Sequence, residues 1–449
     1  MHVKKTIVKW VVAAAVALPC GAWAQTSSIN AFSPYSMYGI GELQTQGALP
    51  TRSMGGAGVG MRSSSRVNLL NPAAYSATAP KTFLFDFGVE GQNFYNSQQR
   101  DGRTARTSYN TFNFHDIALQ MPLARKLGLG FSLTPYSSVG YRVTGTIEDD
   151  EIWGNIGRVQ QLYSGEGDVT EVKLGIGWML FKNFSIGVAG QYYWGDIDRS
   201  FTTTVTNNVV GSGSFTAAIG KQTYSVSRFM GQVVVQWDII NQPRRRILTL
   251  GATYDIGGDL RPDVTSTVYS GNLFGTTVTE QSPHLKLVLP HQVAVGLYYQ
   301  TSRIQVAADY VYQDWGSGNK GYREQASSGF EVAYRNTNTF KAGLEWTPNR
   351  MDVRRILKRW SYRVGFRYGD YNQTFGGKTL NEYAVTAGIG IPLKIMGASS
   401  IDLGIEYGRR GGPSRINDRV GLVKQQYFKF AVGISMFGED YWFVRPKYD

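Results

Sequence analysis

From Lys81 to the end of the chain, apolar residues alternate with polar residues or glycine in one short segment after another. In one of the clearest segments, Ile401, Leu403 and Ile405 alternate with Asp402. Successive side chains of a β-strand point to opposite faces, so a period of two gives one apolar face and one polar face. Such a strand suits a wall with lipid on its outer side and a polar lumen on its inner side.

Fourteen such segments can be counted, at about 81–92, 109–121, 126–143, 168–181, 184–204, 222–240, 246–268, 286–301, 303–315, 337–347, 359–370, 381–392, 399–409 and 426–437. Seven long connections are predicted near 93–108, 144–167, 205–221, 269–285, 316–336, 371–380 and 410–425. The connections between them are mostly short, as in an even-stranded barrel with both ends in the periplasm, whereas a β-sandwich has no reason to sort its connections. The sequence predicts an all-β fold, a transmembrane antiparallel β-barrel of about 14 strands over residues 81–437.

Composition agrees with this prediction. The 53 Gly and 27 Tyr residues fit a wall that is apolar outside and small or polar inside. The formal net charge of +13 raises the question of nucleic acid, but Lys and Arg are scattered over strands and turns, with no basic helix or stripe. The short turns collect part of this charge, in Arg125, Lys126, Arg244, Arg245, Arg246, Arg354 and Arg355.

The N-terminus predicts export. Lys4, Lys5 and Lys9 precede an apolar stretch, and Ala22-Trp23-Ala24 is a small-x-small cleavage site, so residues 1–24 are a predicted signal peptide. Pro19 before Cys20 does not fit a lipobox. Without Cys20 the mature chain has no cysteine, so neither a disulfide nor a thiolate metal site is proposed. The predicted location is the outer membrane of a Gram-negative bacterium.

Residues 25–80 are predicted to form a plug, or hatch, inside the barrel. This segment is rich in glycine and small residues and keeps no period for long, yet its apolar residues need a place to pack. A closed barrel of this size has an interior to fill. Residues 438–449 extend past the last strand as a C-terminal tail.

Within the predicted plug lie three short motifs: Asn30-Ala31-Phe32-Ser33 with Gly39-Ile40-Gly41, then Gly55-Gly56-Ala57-Gly58, then Asn71-Pro72-Ala73 just ahead of the first strand. With the strand count, these motifs resemble the FadL/TodX family of outer-membrane transporters. The resemblance implies passive uptake of hydrophobic compounds, without a cofactor, through a plugged barrel. It also implies sideways exit at a kinked third strand, where this sequence has Pro135. The alternative is that the strand has already left the membrane by Pro135.

Apolar residues of the plug are the candidates for ligand contact or gating: Phe32, Tyr35, Met37, Tyr38 and Ile40. The alternative is that they only pack the plug against the lumen. The plug motif supplies Gly55, Gly56, Gly58, Asn71, Pro72 and Ala73. Charged residues expected to face the lumen are Asp309, Lys341, Glu345, Arg363, Arg367, Asp402, Glu406 and Lys429. Complementary pairs among them would brace the wall and hold the plug, or else line a polar channel.

No catalytic or metal site is predicted. Outside the predicted signal peptide, the histidines are His115, His284 and His291. His115 and Asp116 should face opposite sides of a strand unless a bulge intervenes, and no serine or acid stands at a motif spacing from the other two.

Two functions therefore follow. The first is an outer-membrane passive transporter for hydrophobic or amphipathic molecules such as long-chain fatty acids, which contacts membrane lipids and no nucleic acid. The alternative is a related barrel that serves as a docking or shuttle component of an outer-membrane secretion machine, with a protein partner that the sequence does not identify.

Overall fold

The computed structural model describes residues 32–100, 102–146, 158–206, 218–242, 245–270, 276–282, 287–325, 330–393, 399–412, 416 and 421–436. Within these ranges, fourteen strands form a closed antiparallel β-barrel, which confirms the predicted fold class. The strands are β1 (Leu84–Arg100), β2 (Arg103–Ala124), β3 (Leu127–Thr146), β4 (Arg158–Phe181), β5 (Phe184–Thr206), β6 (Ala218–Gln242), β7 (Arg246–Ile256), β8 (Gln292–Thr301), β9 (Ile304–Gln313), β10 (Thr337–Trp346), β11 (Ser361–Phe375), β12 (Lys378–Pro392), β13 (Ser400–Arg410) and β14 (Lys424–Met436). Pairing of β1 with β14 closes the barrel. The predicted signal peptide and C-terminal tail lie outside the described residues.

The outer surface of the wall is apolar. Side chains such as Ile405 and Phe430 are 48% and 40% exposed, while their chain neighbours Glu406 and Lys429 are each 5% exposed. Soluble proteins rarely leave a large continuous apolar surface exposed to water. A whole face of exposed apolar side chains therefore marks a surface in contact with lipid. The chain is therefore a β-barrel of the outer membrane.

Aromatic side chains border this surface at two levels. Trp178, Trp237 and Trp346 are each about half exposed near the short-turn end. Near the other end, Tyr310 pairs with Phe340, and their ring centroids lie 5.0 Å apart. Phe340 and Trp346 are six residues apart on β10, which at about 3.3 Å per residue gives roughly 20 Å along the strand. Because the strands of such barrels tilt by about 35–45°, this corresponds to roughly 15 Å across the membrane, which lies within the apolar band of an outer-membrane barrel. Among the described residues, no helix is long and apolar enough to cross a membrane.

Two of the predicted long connections are wrong. Residues 93–108 belong to strands, because β1 and β2 stay paired as far as Arg100↔Arg103. Residues 371–380 likewise continue β11 and β12 up to a turn at Gly376 and Gly377, whose φ angles of +55° and +74° favour glycine. Both hairpins extend beyond the apolar band, where neither face needs to be apolar, so hydrophobic alternation could not reveal them.

A third prediction, a single strand over 246–268, is divided in the structure. β7 ends at Ile256, and residues 263–270 pair instead with the outer part of β6, from Asp263↔Ser225 to Ser270↔Ala218. Residues 276–282 add a further strand to this extension. The wall formed by β4, β5 and β6 therefore continues well outside the membrane.

Residues 32–83 are here called the inner segment, and most of them are buried against inward-facing residues of the wall. Their ordered elements are short: 3₁₀ turns at Pro34–Met37 and Pro72–Ala77, a two-residue strand at Glu42–Leu43 and a helical turn at Leu49–Arg52. Nearly every residue from 48 to 61 is buried. The segment has no core of its own, so the inward face of the barrel supplies its packing surface.

Candidate functional site in the lumen and at a seam in the wall

A belt of strand glycines receives the inner segment. On most strands the inward residue at this level is glycine, and a Cβ added there would fall against residues 49–77. The belt consists of Gly128, Gly175, Gly177, Gly187, Gly251, Gly343, Gly365, Gly388, Gly404 and Gly433. Absence of a side chain lets the two backbones approach closely. These close contacts therefore fix the height along the barrel axis at which the inner segment crosses the lumen.

The Gly55-Gly56-Ala57-Gly58 motif lies against this belt, next to Gly365. Gly55 and Gly56 have φ angles of +73° and +78°, and the Gly55 amide donates to Thr386 Oγ1 at 2.9 Å. The amides of Gly58 and Val59 both donate to the Asp309 carboxylate, at 2.6 and 3.0 Å. A buried carboxylate that accepts two backbone amides holds this turn against β9.

The Asn71-Pro72-Ala73 motif caps a 3₁₀ turn. Asn71 Oδ1 accepts from the Ala73 amide at 3.1 Å, and Pro72 occupies the first position of the turn, where no amide donor is needed. Asn71 Nδ2 donates to the carbonyl oxygens of Val59 and Val235, at 3.0 and 3.2 Å. One side chain thereby joins the glycine-rich loop at Val59 and the Pro72–Ala77 turn to β6. Ala73 is fully buried.

Seven of the eight predicted luminal charges are buried, and Lys341 is partly buried on the same inward face. Glu345 lies at the centre of one chain of ion pairs: it accepts from Arg363 at 2.7 Å, and Arg363 also pairs with Asp402. Arg66 of the inner segment completes this chain with two 2.8 Å bonds to Glu345. Although burial alone acts in the opposite direction, the Glu345 carboxylate raises the pKa of Arg66 above its ordinary value.

A second network joins β11, β12, β13 and β14 to the inner segment. Arg367 pairs with Glu406 at 2.7 Å, and Arg410 pairs with Glu382 at 2.6 Å. Arg410 also reaches Glu42 of the inner segment at 2.9 Å. Lys429 lies with its ammonium 5.3 Å from the centre of the Tyr427 ring. On the first strand, Glu90 pairs with Arg52 of the inner segment.

Sequence reasoning missed the inner segment's own charges, among them Glu42, Arg52 and Arg66. A strand reveals its inward residues through alternation, but the inner segment has no period, so nothing marked these three as luminal. The only available signal was indirect. An unpaired charge is unfavourable in a closed interior, so the predicted luminal charges required partners.

The five candidate ligand or gate residues all pack near the outer mouth. Phe32 stacks on Tyr109 of β2, with ring centroids 4.2 Å apart. Tyr35 and Tyr38 pack against Phe375, at 5.0 and 5.7 Å between ring centroids. Ile40 joins a second apolar cluster with Val139 and Trp315, and Met37 packs against both clusters. Burial raises the pKa of the Tyr35 and Tyr38 hydroxyls, so both remain protonated donors.

Pro135 lies at a break in the wall. Pairing between β2 and β3 runs only from Ala124↔Leu127 to Ile117↔Leu133. Beyond it, a bulge at Tyr136 bends β3, which stays paired with β4 on its other side. The remaining halves of β2 and β3 are not paired with each other, and we call the space between them the seam.

The inner segment covers the free edge of β3 at the seam. Glu42 and Leu43 pair with Ser138 and Ser137 as a two-residue antiparallel ladder. The Ser33 amide donates to the Gly140 carbonyl at 2.8 Å, and the Gln44 amide donates to the Tyr136 carbonyl at 2.9 Å. Gln46 Nε2 donates to the Pro135 carbonyl at 2.9 Å. These bonds satisfy backbone groups that β2 would satisfy in a regular wall.

A cavity of about 230 Å³ lies beside the seam, and its lining includes Tyr136 and Leu43. Part of the lining is charged: Lys173 pairs with Glu171 at 3.2 Å, and Asp255 accepts from Gln191 and Gln292 at 3.0 and 2.8 Å. Leucine side chains of the inner segment form an apolar part. The cavity therefore offers both polar and apolar surface to an occupant.

His115 and Asp116 do not face opposite sides, because the bulge that was allowed for as an exception is present. β2 bulges at His115, because Gly88 pairs with Asp116 and Val89 pairs with Phe114. Both side chains consequently point inward and are buried in contact with each other. His291 contacts Tyr254 at 2.9 Å in an exposed position, and His284 lies outside the described residues. Within the described part of the chain, no cluster of His, Cys, Asp and Glu could hold a metal ion.

Comparison with known proteins gives a family and several structural neighbours. A FadL homologue of Pseudomonas aeruginosa superposes with a TM-score of 0.64 at 13% identity, covering 89% of this chain and all of the other. The toluene transporter TodX of Pseudomonas putida gives 0.55 at 17% identity, covering 89% and 99%. The toluene transporter TbuX of Ralstonia pickettii gives 0.54 at 13% identity, covering 88% and 99%.

These neighbours confirm the resemblance at the level of the fold, and their low identity carries the comparison no further. No curated protein gives a significant match. The family model described as BamG matches residues 3–449, nearly the whole sequence. The chain belongs to the BamG family.

Proposed function

We propose that this barrel is a passive transporter for amphipathic small molecules, with long-chain fatty acids as the first class to test. The observation that carries the proposal is the seam: β2 and β3 are unpaired beyond Pro135, and among the described residues it is the inner segment that covers the edge of β3. A molecule that displaces residues 33–46 from this edge would gain a path from the lumen to the surrounding lipid. The transporters named among the structural neighbours support the same proposed function.

The lumen narrows the substrate class. The cavity beside the seam combines the charged groups of Glu171, Lys173 and Asp255 with apolar side chains. A hydrocarbon without a polar group would leave these charges unsolvated, which is unfavourable. A molecule with a polar head and an apolar tail can satisfy both parts of the lining, with the tail directed to the seam. No cofactor is needed for such passive movement.

A crosslink across the seam tests this proposal. Leu43 and Ser137 are paired residues, so Leu43→Cys with Ser137→Cys places two thiols at strand-pair distance, and the natural sequence has only Cys20. The oxidised variant should lose uptake of a fluorescent long-chain fatty acid by cells, and a reductant should restore it. The matched control is Val306→Cys with Leu344→Cys, a pair on the outward faces of β9 and β10, which should leave uptake unchanged. Unchanged uptake in the oxidised seam variant would reject the seam as the exit.

The second candidate is a docking or shuttle component of an outer-membrane secretion machine. The ion pairs that bind the inner segment to β1, β10 and β13 favour it, because a barrel that serves as a platform needs a permanently closed lumen. Native mass spectrometry of protein taken from its own membrane separates the two. Bound fatty acids that are lost in Phe32→Ala/Tyr38→Ala support transport, whereas a stoichiometric protein partner with an empty lumen supports docking.

A further inference from the structure

The turn between β10 and β11, residues 347–360, exposes apolar side chains at the short-turn end of the barrel. Met351 is 87% exposed, Val353 is 86% exposed and Leu357 is 59% exposed. The turn is nevertheless well bonded: the Asn349 amide donates to the Lys358 carbonyl at 2.8 Å, and residues 356–359 form a 3₁₀ turn. Ordered apolar side chains that protrude in this way mark a contact surface.

The same turn is strongly basic. It carries Arg350, Arg354, Arg355, Lys358 and Arg359. Its one acidic residue, Asp352, accepts from the Arg354 and Arg355 amides at 2.9 and 2.8 Å and lies 3.9 Å from Lys358. The carboxylate is therefore occupied mainly by backbone, and the guanidinium groups of Arg354 and Arg355 project from an exposed surface.

The turn is fastened to the lipid-facing side of the wall. Tyr362 faces outward beside Trp346, with ring centroids 5.9 Å apart, and its hydroxyl donates to the Leu357 carbonyl at 3.0 Å. This bond places the exposed apolar side chains next to the aromatic border of the membrane surface. An occupant of this surface must therefore be compatible with the edge of the bilayer.

Other turns at this end extend the positive charge around the barrel. Exposed cations at these turns are Arg125, Lys126, Lys182, Arg245, Arg246 and Arg303. Both strand ends that close the barrel, at residues 84 and 436, lie at this end, which is the periplasmic side of such barrels. The lipid that meets it is the phospholipid of the periplasmic leaflet.

We propose that the 347–360 turn binds anionic phospholipid of the periplasmic leaflet. Arg354 and Arg355 contact the phosphate group, because guanidinium groups form paired hydrogen bonds with phosphate oxygens. Met351, Val353 and Leu357 contact the adjoining acyl chains. Position at the aromatic border favours this occupant over an acidic protein, which would need a surface that projects away from the bilayer.

The test uses the purified full-length protein incubated in detergent with equal amounts of phosphatidylglycerol and phosphatidylcholine. Native mass spectrometry then gives the ratio of the two bound lipids. The natural protein should prefer phosphatidylglycerol, and Arg354→Gln/Arg355→Gln should reduce the ratio by at least about tenfold, since a basic residue near an anionic surface contributes about fivefold. Arg354→Lys/Arg355→Lys should retain most of the preference.

The control variant Arg103→Gln/Arg106→Gln removes the same charge from the opposite end of the barrel and should leave the ratio unchanged. Heat-modifiable migration on gels establishes that every variant is folded. An unchanged ratio in folded Arg354→Gln/Arg355→Gln would overturn the proposal. Loss of a bound acidic protein, with the lipid ratio intact, would also overturn it and assign the turn to protein docking.

Discussion

Two parts of the wall hold the inner segment by different means. Along β10–β14 the strands stay paired over the apolar band, and buried ion pairs join Arg66 to Glu345 and Glu42 to Arg410. At the seam between β2 and β3, the inner segment is held mainly by backbone hydrogen bonds to the free edge of β3. One wall uses charge in a closed interior, and the other uses a short ladder of amides.

The energies of the two attachments differ. Removal of one partner from a buried ion pair costs about 3–5 kcal/mol, because the other charge stays buried without compensation. A typical backbone hydrogen bond contributes only about 0.5–1.5 kcal/mol, since water competes for its groups. Displacement of residues 33–46 must break this ladder and also the Glu42–Arg410 ion pair, so it should begin with the backbone bonds at the seam, while residues 49–77 remain on the glycine belt.

The largest effect is expected for Glu345→Ala. This change leaves Arg66 and Arg363 without their shared carboxylate, and it should lower the free energy of unfolding by about 3–5 kcal/mol. Urea titration of protein in lipid vesicles measures the difference. Glu331→Ala is the control, because Glu331 pairs with Arg323 at an exposed site and should cost less than about 1 kcal/mol. Equal losses in the two variants would contradict the description of β10–β14 as the anchoring wall.

A somewhat smaller effect is expected for Gly365→Ala in the belt. The added methyl group would overlap Met54 and Gly55 of the inner segment, and overpacking of this kind costs about 1–3 kcal/mol. The measurement is the rate at which a protease cleaves the inner segment, which should rise. Gly231→Ala on β6 has ordinary space, with Ile256 Cδ1 at 3.4 Å, and should leave the rate unchanged.

The contrast between the walls also explains what the sequence could predict. Lipid outside and a closed lumen inside impose strict alternation, so Asp402 and Glu345 could be placed on the inward face from their neighbours alone. Outside the bilayer this constraint ends, so alternation gives no sign that residues 93–108 are paired. The bulge at His115 changes the facing of a residue through backbone geometry, which leaves no trace in residue types.

The sequence predicted that the inner segment fills the lumen, but it did not predict which residues the segment contacts. Its apolar residues predicted that it is ordered, because they need a place to pack, but the strand glycines opposite it gave no sign of what approached them. Arg52 and Arg66 could not be paired with Glu90 and Glu345, because a chain without a period gives no register.

Glu42→Gln should weaken the link between the two walls. Glu42 stands on the seam ladder and also reaches Arg410 of the anchoring wall, which keeps Glu382 as a second partner. The loss should be about 1.5–3 kcal/mol, as for a single hydrogen bond to a charged group. Hydrogen exchange should become faster at residues 33–46 and stay unchanged at 49–77. Faster exchange throughout the inner segment would show that it moves as one unit.

The smallest effect on stability is expected for Pro135→Ala. The Pro135 carbonyl faces the seam, where it accepts from Gln46, and in an antiparallel strand the amide nitrogen of the same residue points to the same side. Proline therefore withholds a donor at the point where pairing with β2 stops, which discourages the two strands from joining.

Alanine supplies the donor, so global stability should change by less than about 0.5 kcal/mol. Hydrogen exchange should nevertheless slow at the substituted position and at its neighbours in β2, because β2 and β3 can then pair over more residues. Fatty-acid uptake should fall in parallel with that protection. Slower exchange with unchanged uptake would separate the seam from transport.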